Sequence, residues 1–185
     1  VSYTVVSWHT PDYAGAAAKL ERSLDALNIP HVAYECDRLG NWYDTVCHWK
    51  PRIVQRALAE YPDSDIVYTD SDSVFHSTPL LFEAWDSAYD IGVHYLRDIE
   101  LLGGTQYYSN TPKVRKLVDA LLSRMDARHL TSQMALVELL RECENVNVYR
   151  LPPEYCFIFD ISRVYYPTVK PIVEHFQHSR QARLR

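Results

Sequence analysis

Three short runs rich in β-branched and aromatic residues, Tyr3–Val6, Pro30–Tyr34 and Ile66–Thr69, are separated by two stretches with a helical repeat. No other feature constrains the fold as much. In the first helical stretch Tyr13, Ala17, Leu20, Leu24 and Leu27 share a face; in the second Ile53, Val54, Ala57, Leu58 and Tyr61 do. Strands joined by helices run parallel, so this β-α-β-α-β order predicts a doubly wound sheet of the Rossmann kind in the first half. Proline marks the expected helix starts. Thr10-Pro11, Lys50-Pro51, Thr78-Pro79 and Thr111-Pro112 each set Pro in a first turn, where no N–H is needed, and three of them offer Thr as N-cap.

The second half is less regular. Asp90–Tyr95 and Gln106–Ser109 read as strands around a turn at Leu102-Gly103-Gly104-Thr105. Val114, Leu117, Val118, Leu121 and Met125 predict an amphipathic helix, and Thr131–Leu140 a shorter one, apolar nearly all round and so buried. Asn145–Arg150 returns as a strand, broken by Pro152-Pro153. With no repeat, linker or low-complexity segment, 1–185 reads as one domain, with 1–75 and 76–185 as its two halves.

The run Ile66-Val67-Tyr68-Thr69 ends in Asp70-Ser71-Asp72. A buried strand that ends so delivers two carboxylates to the carboxyl edge of the sheet, where open α/β sheets bind ligands. Like charges one residue apart repel unless a cation lies between them, which makes the pair a half-site for Mn²⁺ or Mg²⁺. Asp and Ser are also ordinary turn residues, so the motif needs its surroundings.

Composition excludes some alternatives. At 185 residues with 47% hydrophobic and 23% charged content, the chain builds a full core without staples. No apolar stretch approaches a membrane span, and Val1–Trp8 lacks the basic start and apolar length of a signal peptide. Cys36, Cys47, Cys143 and Cys156 form no CxxC pair and suit a reducing compartment, so the expected location is cytoplasmic. A net charge of −5 argues against an extended phosphate-tracking surface.

The order of motifs resembles the GT-A glycosyltransferases, metal-dependent enzymes that move a sugar from a nucleotide diphosphate. The nearest likeness is to the small nucleotide-diphospho-sugar transferases of the glycogenin and bacterial galactosyltransferase group. Trp49-Lys50-Pro51, Asp70-Ser71-Asp72, Gly104-Thr105, Ser132-Gln133, Leu151-Pro152, His175 and His178-Ser179-Arg180 carry the resemblance over nearly the whole chain. It implies an α/β, Rossmann-like GT-A fold with a mixed, mostly parallel central sheet flanked by helices. It also implies a nucleotide-sugar donor, UDP-linked by preference, and an acceptor hydroxyl on a glycan, a small molecule or a modified DNA base.

By the same resemblance Asp70, Asp72 and His175 hold the metal, which stabilises the leaving diphosphate. Ser7, Trp8, Thr10, Lys50, Asp70, Gly104, Thr105, Ser179 and Arg180 are the expected donor contacts. Lys50 is expected at a helix N-terminus, beside N–H groups that attract phosphate. Gly103-Gly104-Thr105 would let backbone approach the sugar. Gln133 matches the family's Asp-Gln pair, although Ser132 replaces the aspartate. A retaining reaction would set Gln133 beneath the anomeric carbon; an inverting one needs a carboxylate base, for which Asp98 and Glu100 are candidates. Val169–Phe176, with Pro171, is expected to be a lid that carries His175 to the metal.

Two other classes fit parts of the chain. Val67–Val74 matches the haloacid-dehalogenase phosphatases, with Asp70 as nucleophile and Asp72 as acid/base. That family opens with this strand and needs a later acidic pair, whereas only the isolated Glu154 and Asp160 follow here. A non-catalytic nucleotide or nucleic-acid binding module would stack bases on Trp42-Tyr43 and other tyrosines, most of which follow core periodicity.

Overall fold

The computed structural model describes residues 2–128 and 130–177. In chain order the elements are β1 (Tyr3–His9), α1 (Ala14–Ala26), β2 (His31–Glu35), α2 (Trp42–Glu60), β3 (Asp65–Thr69), β4 (Ser73–Phe75) and α3 (Leu80–Glu83). Then come β5 (Ile91–Leu96), β6 (Glu100–Tyr108), α4 (Pro112–Arg128), α5 (Ser132–Glu142), β7 (Val148–Arg150), β8 (Phe157–Ile158), α6 (Ile161–Tyr165) and β9 (Val173–His175). The main sheet has the order β2-β1-β3-β6-β5-β7, and β4-β9-β8 form a small second sheet. All strands of the main sheet run one way except β6, which is antiparallel to both neighbours.

Alternation along the central strands sends side chains to two apolar layers. Val6, Trp8, Ile66, Tyr68 and Tyr108 face the layer built with α2, α4 and α5. Tyr3, Val5, Val67 and Tyr107 face the other, with α1, Phe82 and Trp85. A third cluster, Leu96, Leu102, Cys156 and Ile158, sits under the β5–β6 hairpin. The two halves of the chain share the main sheet, because β5, β6 and β7 extend the sheet that β1–β3 begin.

The predicted first half is present, with one change. Pro51 lies inside α2, which starts nine residues upstream at Trp42. Asn41 caps it, its side chain accepting from the Asp44 N–H at 2.9 Å. An interior Pro removes one backbone bond, and the Arg52 guanidinium donates to the neighbouring His48 carbonyl at 3.0 Å. Lys50 therefore sits in mid-helix, and the helix-dipole argument for it falls. Thr78 does not cap α3 either, since Pro79 holds that position. Thr111 does cap α4, accepting from the Val114 N–H at 3.2 Å.

The second half corrects more. The turn between β5 and β6 is at Arg97 and Asp98, both with positive φ. Gly103-Gly104-Thr105 belongs to β6 instead, in a bulge where the register jumps from Val93↔Gln106 to His94↔Leu102. Helix α5 is amphipathic, burying Ala135, Leu136 and Leu139 but exposing Met134. Val169–Phe176 is no lid: β9 is buried throughout and pairs with both β4 and β8. The four cysteines are free thiols. Among the described residues no helix is long and apolar enough to cross a membrane.

Candidate active site

Strand β3 ends at Thr69 and the chain turns at once into β4, so Asp70-Ser71-Asp72 form the corner between the two sheets. Antiparallel pairing sets His175 opposite Ser73, and the Phe176 N–H donates to the Asp72 carbonyl at 3.0 Å. The second sheet is thus what returns the end of the chain to the carboxyl edge of the first. One ligand atom from each of Asp70, Asp72 and His175 lies within 4.8 Å of the others.

His175 is 2% exposed, and burial holds its pKa down at about 4, so it is a neutral imidazole at physiological pH. Its Nε2 lies 2.8 Å from Thr105 Oγ1, while its buried Nδ1 has no hydrogen-bond partner. A buried nitrogen without a partner is costly unless a ligand uses it. With Nε2 protonated toward Thr105, Nδ1 offers its lone pair beside two carboxylates, a donor set that suits Mn²⁺ or Mg²⁺. Gly104 makes room for the ring. A Cβ at Gly104 would come within 2.9 Å of His175 Cε1.

Asp70 is tied on one oxygen. Its Oδ1 accepts from Lys50 Nζ at 2.9 Å and from the Tyr68 hydroxyl at 2.8 Å. Lys50 is buried, its ammonium 4.7 Å from the centroid of the Tyr68 ring. It separates two cavities. One, of about 150 Å³, is lined by Trp8, Tyr13, Trp42, Tyr68, Asp70 and Asp72, with Tyr13 and Trp42 stacked at 4.5 Å and 9°. The other, of about 240 Å³, meets Gly103, Gly104, Gln133, Glu100 and His175 on one side and Leu96, Leu102, Ile158 and Ile161 on the other.

Of the predicted residues, Trp8, Lys50, Asp70, Asp72, Gly104, Gln133, Glu100 and His175 line one or both cavities. Thr105 stands behind His175. Ser7 and Thr10 are buried and line neither cavity. Asp98 is on the exposed hairpin tip, paired with Arg150 at 3.1 Å, and faces neither cavity. Ser179 and Arg180 lie outside the described residues. Tyr68, Tyr13 and Gln177 were not among the predicted site residues, yet they line the cavities. Tyr68 occupies a core-facing position in a buried strand, and nothing in its sequence context separates it from an ordinary core tyrosine. The phosphatase alternative needs a second acidic pair nearby; Glu154 and Asp160 are not in the group with Asp70 and Asp72.

No family model and no curated protein matches the sequence. Solved structures match the fold. A glycosyltransferase involved in the glycosylation of the major capsid of PBCV-1 superposes with a TM-score of 0.77 at 14% identity, over 99% of this chain and 97% of that one. The apo form of the glycosyltransferase GlyE from Streptococcus pneumoniae TIGR4 gives 0.66 at 14% identity, and the apo bifunctional glycosyltransferase WbbM gives 0.63 at 10%. This chain covers 95% of its own length in both, but 54% of GlyE and 46% of WbbM. The chain has a GT-A-like, Rossmann-type glycosyltransferase fold.

Proposed function

We propose that the protein is a metal-dependent glycosyltransferase, moving a sugar from a nucleoside diphosphate to an acceptor hydroxyl. The observation that carries this reading is the grouping of His175, whose buried Nδ1 has no hydrogen-bond partner, with Asp70 and Asp72, two carboxylates that also line the aromatic cavity. The likeness in fold to glycosyltransferases supports it.

In this reading Trp8, Tyr13 and Trp42 receive the base, UDP being the preferred carrier. Asp70, Asp72 and His175 hold Mn²⁺ or Mg²⁺. When bound, the cation offsets the charge that grows on the leaving diphosphate. Lys50, already in the site, adds a fixed positive charge between base and sugar, and needs no reorganisation during the reaction. The larger cavity takes the sugar and the acceptor. Gly103 leaves its floor open: a Cβ there would lie 3.2 Å from Lys50 Nζ and 3.5 Å from Gln133 Oε1. Gln133 serves the sugar in a retaining reaction, the course favoured by resemblance. Glu100, exposed on the same cavity, is the carboxylate for an acceptor proton if the reaction inverts.

Thermal-shift titration of nucleoside diphosphates with and without Mn²⁺ tests the reading. At about 100 times the dissociation constant the nucleotide should stabilise the fold by about 2.7 kcal/mol, and only with the cation present. A null result with every nucleotide under both Mn²⁺ and Mg²⁺ removes the donor site.

A further inference from the structure

The geometry points to Tyr68 as a positioning residue that ties the aromatic cavity to the cation carboxylate; this rests on the transferase reading above. Its hydroxyl lies between two side chains of fixed polarity. An indole N–H only donates and an ionised carboxylate only accepts. Trp8 Nε1 donates to the Tyr68 oxygen at 3.0 Å, so the single phenolic proton goes to Asp70 Oδ1, 2.8 Å away. The relay Trp8→Tyr68→Asp70 therefore has one direction. Tyr68 is 1% exposed, so water does not substitute for either partner.

Its consequence for Asp70 is orientation. Lys50 and Tyr68 both hold Oδ1, which leaves Oδ2 as the oxygen to share a cation with Asp72 and His175. Hydrogen-bond partners of metal ligands fix ligand direction and affinity in this way. Its consequence for the cavity is a link. Trp8 lies 6.1 Å from Trp42, which stacks on Tyr13, and all three line the space beside Asp70. A base that packs there restrains the indole, and bonds in a buried chain strengthen one another. Buried Tyr107 provides a contrast within the same sheet. Its hydroxyl donates to Asp65 at the opposite edge, at 2.7 Å, and it lines neither of the two cavities.

Mn²⁺ affinity of the intact chain, measured from the paramagnetic resonance of free Mn²⁺, tests the assignment without turnover. Tyr68→Phe should weaken Mn²⁺ binding about ten- to a hundredfold. Trp8→Phe leaves the phenolic proton on Asp70 and should cost less than about threefold. Uracil, the base alone, has neither phosphate nor ribose hydroxyl to touch the cation, so any effect it has on Mn²⁺ affinity travels through the protein. At saturation it should tighten Mn²⁺ binding of the wild type about fivefold, and in either variant the factor should fall to about one. Wild-type Mn²⁺ affinity in a folded Tyr68→Phe, or undiminished uracil linkage in Trp8→Phe, overturns the inference. Should Tyr68→Phe fail to fold, the linkage in Trp8→Phe decides alone. A wild-type chain that binds no Mn²⁺ brings down the transferase reading as well, whereas wild-type binding with unaffected variants brings down the relay only.

Discussion

The two cavities on either side of Lys50 and Asp70 are built differently. The smaller is walled by long central elements: Trp8 from β1, Tyr68 from β3, and Trp42 and Lys50 from the 19-residue α2. Its polar atoms are joined to one another through Tyr68 and Asp70. The larger shares Lys50 and Asp70 with it and takes Gln133 from α5 and His175 from β9, but its remaining wall is the outer arm of a hairpin, the two-residue β8 and the five-residue α6, over a separate small apolar cluster. A site on long, interlocked elements is preorganised; one on short elements is free to vary. In the proposed reaction the donor side is thus fixed by the fold, while the acceptor side is fixed by local sequence.

If that contrast holds, the largest losses come from the shared corner. Asp72→Asn should lower donor turnover on the order of 10³-fold, read as nucleoside diphosphate release with Mn²⁺ present. Little change would mean that the corner holds no catalytic cation. On the larger cavity, Glu100→Gln should reduce transfer about 10²-fold if the carboxylate is the base, while Asp98→Asn should stay within about twofold. Equal effects of the two would erase the distinction drawn between hairpin tip and cavity wall.

Glycine substitutions sharpen the comparison further. Gly104→Ala drives a methyl into the His175 ring and should weaken Mn²⁺ binding about tenfold. Gly103→Ala meets Lys50 Nζ at 3.2 Å, a contact that a shift of a few tenths of an ångström relieves, and should change that binding less than about threefold. His175→Ala carries a different cost, because the residue is buried in a strand: about 1–3 kcal/mol of stability in denaturant melts, besides the loss of metal.

The smallest effect concerns His94, buried on β5 with Nδ1 2.8 Å from the Leu151 carbonyl and Nε2 without a partner. Burial lowers its pKa below the ordinary value near 6.5. Between the two values the unfolded chain holds more protons than the folded one, so stability rises with pH. The share of His94 should fall as pH drops from 7 through 6.5, by at most about 1.4 kcal/mol per unit, and His94→Gln should reduce the slope in urea melts by that share, leaving the part that buried His175 contributes.

Much of this was legible in residue order, for definite reasons. The faces of α1 and α4 follow a 3.6-residue rhythm, which selects the buried Ala17, Leu20 and Leu24 in α1 and all the buried residues of α4 except Leu122; the predicted Tyr13 and Leu27 flank α1 and are half-buried. Asp70 and Asp72 stand out because a buried strand seldom ends in two carboxylates. The start of α2 was misread because Lys50-Pro51 imitates a first turn, while the true signal, Asn41 three residues before Asp44, lies upstream in a polar stretch. The glycine pair in β6 imitates a turn because sequence does not distinguish a bulge from a bend. Strands β4 and β8 are too short to show a period at all.

The bulge at Gly103–Thr105 has a consequence for how the molecule opens. Gln106–Tyr108 is laddered on both sides, to β3 and to β5, whereas Thr105 pairs with β3 alone and Glu100–Leu102 with β5 alone. Backbone amides of the inner segment should therefore exchange with deuterium only when the whole sheet comes apart, and those of the outer segment through local fraying of the hairpin. In the proposed reaction, the wall that carries Glu100 and Leu102 would then open for acceptor and product independently of the strands that hold Asp70.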